Sequence, residues 1–175
     1  MMSREPPVPL VQTRIDSPVG RLTLVARDDG LAAVLWPDDD PRRVRLAPAA
    51  DAPDHPVLVA AARELSGYFA GALTRFTVPL APEGTDFQRQ VWSALRTIPF
   101  GETRSYAAIA RQIGRPRAVR AVGAANGRNP LSIIAPCHRV IGSNGALTGF
   151  AGGLEVKQRL LAFEAGAGWP ASFIA

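Results

Sequence analysis

The stretch Ser105-Tyr106-Ala107-Ala108-Ile109-Ala110-Arg111-Gln112-Ile113-Gly114-Arg115-Pro116-Arg117-Ala118-Val119-Arg120-Ala121-Val122-Gly123-Ala124-Ala125-Asn126-Gly127 reads as two short helices joined by a glycine-containing turn. Ser105 can cap the first helix, Tyr106 to Gln112, and Gly114 closes it. Pro116 stands where the first turn of the second helix would begin, since its missing N–H costs nothing there. That helix runs to about Asn126, with Gly127 as its stop. It carries Arg115, Arg117 and Arg120 among the small residues Ala118, Ala121, Gly123, Ala124 and Ala125. Small side chains let a helix backbone approach a nucleic-acid groove. They serve a tightly packed core helix equally well, so both readings stand on these residues alone.

Upstream, Thr85 and Gln88 form a capping box, a hydroxyl at the cap and an amide three residues later. Phe87, Val91, Ala94, Leu95 and Ile98 line one face of the helix that follows, and Pro99 ends it. Pro82-Glu83-Gly84 reads as a linker between residues 9–82 and residues 85–166, the two expected domains. In the first domain Val11–Ile15, Arg21–Ala26 and Leu31–Trp36 read as strands, with Asp29-Gly30 as a tight hairpin signal. Pro37 to Pro56 reads as loop, Val57 to Ala70 as a helix, and Arg75–Leu80 as a short strand. The tail after Gly166 is rich in Gly, Ala and Pro, and Trp169 and Phe173 are candidates to pack it back.

The chain has 175 residues and 47% hydrophobic content, enough for one large or two small cores. No apolar run approaches the roughly eighteen residues that a membrane helix needs, and Met1 to Pro9 has no apolar signal-peptide core. The expected location is the cytoplasm, with no membrane contact. One cysteine excludes an internal disulfide and a thiolate-rich zinc site, and with only His55 and His138 as imidazoles no metal site is expected. From Asp86 onward eleven basic residues face four acidic ones, a net +7, while residues 1–85 carry −2. Such asymmetry points to a polyanion for the second half, through phosphate neutralisation that gives affinity without sequence choice.

The chemistry is concentrated in Asn129-Pro130-Leu131-Ser132-Ile133-Ile134-Ala135-Pro136-Cys137-His138-Arg139-Val140. Ile133 to Ala135 reads as a buried strand that Pro136 stops, which would hold Cys137 on a rigid turn. A lone cysteine is more often an inert core residue than a nucleophile. His138 next to it favours reactivity, because the thiol must lose its proton to attack. In the last helix Leu154, Lys157, Leu161 and Glu164 share a face, so Glu164 is a carboxylate in line with an apolar stripe. A charge there needs a partner or a task, unless the helix end reaches water.

With Phe100-Gly101-Glu102-Thr103-Arg104-Ser105-Tyr106 before this segment and Ile141-Gly142-Ser143-Asn144-Gly145-Ala146-Leu147-Thr148-Gly149-Phe150-Ala151-Gly152-Gly153-Leu154 after it, the chain closely resembles O6-alkylguanine-DNA alkyltransferases. The resemblance is dense from about Thr85 to Glu164 and looser through the first half, where Asp16-Ser17-Pro18-Val19-Gly20 also fits. It implies an α/β N-terminal domain of ribonuclease-H-like shape and a mainly α C-terminal winged helix-turn-helix domain. It implies repair of double-stranded DNA containing O6-alkylguanine, with the second helix in the minor groove and the damaged base flipped toward the cysteine. Alkylated thymine as a second substrate is left open.

On the same resemblance Cys137 is the alkyl acceptor, and His138, through a water, and Glu164 draw off its proton. Asn129 braces the cysteine turn, Tyr106 helps rotate the nucleotide, and Arg120 fills the gap left in the stack. Ser105, Tyr106, Arg117, Arg120, Ala121, Ala125, Asn126 and Arg128 are the implied DNA contacts. Pro130, Val140, Ser143, Phe150, Ala151, Gly152 and Lys157 are the implied pocket. A thioether is not hydrolysed, so each molecule would act once, as a monomer and with no cofactor; cooperation between copies on DNA is left open. Three positions depart from the pattern. Phe150 stands in place of a tyrosine and Ala135 in place of a larger aliphatic residue. Asn126 stands where some members turn a bulky apolar residue to the groove. The alternatives are a lesion sensor without transfer activity, a winged-helix regulator and a cysteine hydrolase. Cys137 argues against the first, the small-residue helix against the second, and the lack of an oxyanion-hole motif against the third.

Overall fold

The computed structural model describes residues 9–170, so Met1 to Val8 and Phe173 lie outside the described residues. Three strands, β1 (Leu10–Ile15), β2 (Leu22–Arg27) and β3 (Gly30–Leu35), form an antiparallel meander. Its hairpin turns at Asp28-Asp29, one residue earlier than the sequence suggests, and Gly30 opens β3. A Cβ on Gly30 would lie 2.9 Å from the Pro79 carbonyl oxygen, so the bare glycine is what lets residues 79–81 run along this edge. Leu31 N–H donates to the Pro79 carbonyl and Ala81 N–H to the Leu31 carbonyl.

The stretch read as loop from Pro37 to Pro56 contains a strand, β4 (Ala49–Asp51), which pairs parallel with β1. The sheet order is β3-β2-β1-β4. Three residues carry too little alternation to signal a strand, and here the exposed edge of β1 dictates the pairing. The reverse correction applies to Arg75–Leu80, where only Leu80 makes a bridge, to Leu31. Glu64 accepts the N–H groups of Thr77 and Val78, so a side chain replaces a sheet partner there.

Helix α1 (Pro56–Phe69) lays Leu58, Ala61, Leu65 and Tyr68 on the sheet. Its cap is His55, whose ring accepts Val57 N–H. After the linker, the Thr85 capping box opens α2 (Asp86–Leu95). This helix ends before Pro99 because the Thr97 hydroxyl takes the Ala94 carbonyl. A two-residue strand, β5 (Arg104–Ser105), precedes α3 (Tyr106–Gln112), and the Ser105 hydroxyl accepts Ala108 N–H as its cap. Helix α4 starts at Val119, after a turn containing Pro116, and includes Gly127 as its last residue. No side chain caps it, so the Arg115–Ala118 turn sets its start. A 3-10 turn (Cys137–Arg139), strand β6 (Val140–Ile141), paired parallel with β5, and α5 (Leu154–Glu164) complete the chain. Trp169 stacks on Phe163 at 4.7 Å and donates to the Phe69 carbonyl, packing the tail onto α1.

Candidate active site

Cys137 is held by a tight turn and not by the end of a strand. Ile133 is the one non-glycine among the described residues with a left-handed backbone, at φ 72°. It reverses the chain so that Ala135 N–H reaches the Leu131 carbonyl and Cys137 N–H the Ala135 carbonyl. Asn129 spans the gap between α4 and this turn: its Nδ2 donates to the Ala135 carbonyl at 2.7 Å, and its Oδ1 accepts Leu131 N–H at 3.0 Å. The first half of the chain fastens the turn from the other side. Val34 N–H donates to the Pro130 carbonyl, and Trp36 Nε1 donates to the Ser132 hydroxyl. A cleft of about 560 Å³ lies beside it, lined by Ile133, Ile134, Pro136 and Arg139, while Ala135 itself is buried in the core and lines no part of it.

The thiol is buried, at 4% exposure. Burial pushes its pKa up, and the Asn129 side chain, Arg43 and Lys157 pull against that. His138 follows in the 3-10 turn and is fully buried, with Nε2 2.7 Å from Glu164 Oε2. Burial lowers the imidazole pKa, with Glu164 opposing and Arg139 and Lys157 reinforcing. Burial pushes the Glu164 carboxyl up, but the hydrogen bonds and charges of His138 and Arg139 outweigh it and hold it at about 2. An ionised carboxylate only accepts, so the neutral imidazole carries its proton on Nε2. Nδ1 is then a bare lone pair, buried and without a protein partner. Such a lone pair can accept a proton.

Two residues of this cluster did not stand out in the sequence. Arg139 donates to Glu164 Oε1 through Nε at 2.7 Å and to Oε2 through Nη2 at 3.0 Å, and caps the Ile98 carbonyl through Nη1. Tyr68 of α1 donates its hydroxyl to Glu164 Oε2 at 2.6 Å. Arg139 is adjacent to the cysteine motif, and its cation could have been matched to the buried Glu164. Tyr68 carried no signal beyond a core aromatic. Arg43, from the Pro37–Pro56 segment, pairs with Asp39 and donates to the carbonyls of Gly127 and Asn129.

Lys157 is buried and donates to the Val140 carbonyl at 2.7 Å. The face expected to run from Leu154 instead buries Lys157, Leu160 and Glu164, while Leu154, in the first turn of α5, is 48% exposed. Pro130 and Val140 are buried, whereas Ser143 and Ala151 are exposed. Phe150 meets the Trp36 ring edge-on at 5.4 Å. Gly152 lies against the same ring, where a Cβ would come within 2.9 Å. Tyr106, at the start of α3, joins its hydroxyl to that of Thr148 at 2.5 Å.

Helix α4 corrects part of the expected DNA face. Val122, Ala125 and Asn126 share its inner side, and the Ala125 carbonyl accepts Trp92 Nε1. Ala125 and Asn126 are therefore unavailable to a groove: positions three and four apart fall on one face, and that face packs on α2 and α3. The outer side presents Arg120, Ala121, Ala124 and Gly127, flanked by Arg117 and Arg128. Ser105 is half-buried and occupied as a cap.

Two family models match the chain. The DNA binding domain of 6-O-methylguanine DNA methyltransferase matches residues 86–166, and its ribonuclease-like domain matches residues 10–82. A methylated-DNA--protein-cysteine methyltransferase of Mycolicibacterium paratuberculosis is 51% identical over 86% of this chain and 89% of its own length. One of Methanosarcina acetivorans is 49% identical over 85% and 94%. Among solved structures, Mycobacterium tuberculosis OGT in complex with DNA superposes with a TM-score of 0.82 at 47% identity, covering 94% of this chain and 97% of that one.

Proposed function

The chain belongs to the 6-O-methylguanine DNA methyltransferase family, and from that membership we propose how its own residues carry out the reaction. It is a methylated-DNA--protein-cysteine methyltransferase with a ribonuclease-like domain and a helical DNA-binding domain. It repairs DNA by moving an alkyl group onto a cysteine of its own. The chain has one cysteine, so the acceptor is Cys137.

The observation that carries the mechanism is a buried His138, next to the buried Cys137 in one 3-10 turn, whose Nε2 lies 2.7 Å from Glu164 Oε2. The thiol proton passes through a water to His138 Nδ1, and Glu164 stabilises the imidazolium. The thiolate then attacks the alkyl carbon in line with its bond to O6 of guanine. The S–C bond forms as the C–O bond breaks, the electron pair stays on the base, and the base takes up one proton. Lys157 and Asn129 favour the thiolate, the first by its charge and the second by its hydrogen bond.

The base reaches the thiol by flipping. Residues 9–82 and 85–166 act as the two domains, and α3, its turn and α4 act as the helix-turn-helix, with the β5–β6 region as the wing. The outer side of α4 lies in the minor groove, where Arg120 fills the stack, Arg117 and Arg128 meet phosphates, and Tyr106 helps turn the nucleotide. Pro130, Val140 and the Ser143–Gly152 segment wall the pocket. The protein works as a monomer in the cytoplasm. Intact mass spectrometry after incubation with an O6-methylguanine duplex tests the reading: one methyl mass is expected on the peptide containing Cys137, at a stoichiometry no greater than one. An unmodified Cys137 in folded protein, or repeated turnover, overturns it.

A further inference from the structure

Glu164 Oε2 is an overcommitted atom. It takes the Tyr68 hydroxyl at 2.6 Å, His138 Nε2–H at 2.7 Å and Arg139 Nη2–H at 3.0 Å, although a carboxylate oxygen has two lone pairs. The donors come from two parts of the chain, Tyr68 from α1 and the other two from the turn that holds the cysteine. Tyr68 is fully buried, and the rings of Phe69, Phe76, Phe100 and Phe163 surround it. Its hydroxyl, enclosed with the ring, makes no other hydrogen bond among the described residues. Among apolar neighbours such a bond is strong, and it competes directly with the bond from His138.

We infer that Tyr68 is a positioning residue of the proton relay, through which the N-terminal domain sets how strongly Glu164 holds His138. The inference rests on the reading that His138 accepts the thiol proton. The Tyr68 hydroxyl fixes Oε2 opposite the imidazole and takes up part of the carboxylate's charge, so Glu164 stabilises an imidazolium less than it otherwise would. His138 therefore stays neutral, with Nδ1 free, to lower pH. The other charged groups that act on the pair are Arg139 of the 3-10 turn and Lys157 of α5. Neither of them comes from the first half of the chain. The ionisation of Tyr68 plays no part, because burial and the Glu164 charge keep its hydroxyl protonated far above its ordinary range.

Single-turnover transfer from an O6-methylguanine duplex, followed against pH in the full chain, tests this. In the wild type the rate falls on the acid side as His138 takes a proton. Tyr68→Phe frees Oε2 for His138, and the acid limb should move upward by roughly half a pH unit or more. Fluorination makes the phenol a stronger donor, so 3-fluorotyrosine placed at position 68 should move the limb downward while leaving the aromatic packing in place. Opposite displacements are a signature that a merely structural tyrosine would not produce. Because the fluorinated protein keeps the hydroxyl, it also supplies the answer if Tyr68→Phe fails to fold. His138→Gln separates the two readings. If its rate keeps the acid limb, the relay reading falls and this inference falls with it. If the limb disappears in His138→Gln but stays in place in both Tyr68 proteins, Tyr68 has no part in the relay.

Discussion

The turn that carries Cys137 and the Ser143–Gly152 segment that follows it are adjacent in sequence and built on different principles. Around the turn Asn129, Arg139, Lys157 and Glu164 are all buried, and each is hydrogen-bonded. The segment is mostly exposed, contains no titratable side chain, and is tied down by few contacts, among them Thr148 to Tyr106 and Phe150 to Trp36. The contrast separates two requirements of one reaction. The nucleophile must be held in a single geometry, because a small misplacement of reacting atoms is costly. On the proposed reading, in which this segment walls the pocket, it needs only to accommodate a base and its adduct.

The contrast is most exposed to test at Arg139. Arg139→Ala leaves Glu164 buried without its cation, and we expect a loss of about 3–5 kcal/mol in stability by urea denaturation. A loss under about 1 kcal/mol would mean that the cluster does not hold the turn.

Acid should come next in effect. Folding holds Glu164 at about 2 against an ordinary 4.5, so its contribution is present above 4.5 and is lost as the pH falls toward 2. His138 is also depressed, from 6.5, so the unfolded chain binds its proton first and stability already declines below that value. Denaturation midpoints at pH 7, 5 and 3 should fall in that order, and Glu164→Gln should flatten the lower part of the decline. A midpoint that does not change with pH would remove the distinction between the two regions. The smallest effect is expected at Thr148→Val: stability within about 0.5 kcal/mol of wild type, with transfer slowed no more than a few-fold because Tyr106 loses a preset partner.

What could be read from the sequence was local or carried by resemblance. The Thr85 capping box and the Ser105 cap are chemistry within four residues, and both are present as expected. Asn129, Cys137 and His138 came as a motif and Glu164 through helix spacing and resemblance, and the fold brings Glu164 onto His138 and Asn129 onto the cysteine turn. What escaped depends on pairing over long separations. Tyr68 and Glu164 are 96 residues apart, and nothing around Tyr68 distinguishes it from any core aromatic. Strand β4 exists because β1 has a free edge, and Ala125 turns inward because α2 lies behind α4. The buried strand expected before Pro136 is a turn, because Ile133 adopts a left-handed backbone that its β-branched side chain argues against.

The burial of Cys137 also bears on how long the molecule lasts. A protein that acts once is a finite stock, and the lesions a cell can clear equal the copies whose thiol is intact. Thiolates at the surface are the sulfurs that peroxide and stray electrophiles consume. A thiol enclosed in the fold, with burial raising its pKa, is slow to be spent in this way. On the proposed mechanism, the same enclosure that makes Cys137 depend on a relay also gives it storage stability, holding the sulfur in reserve until a damaged base arrives.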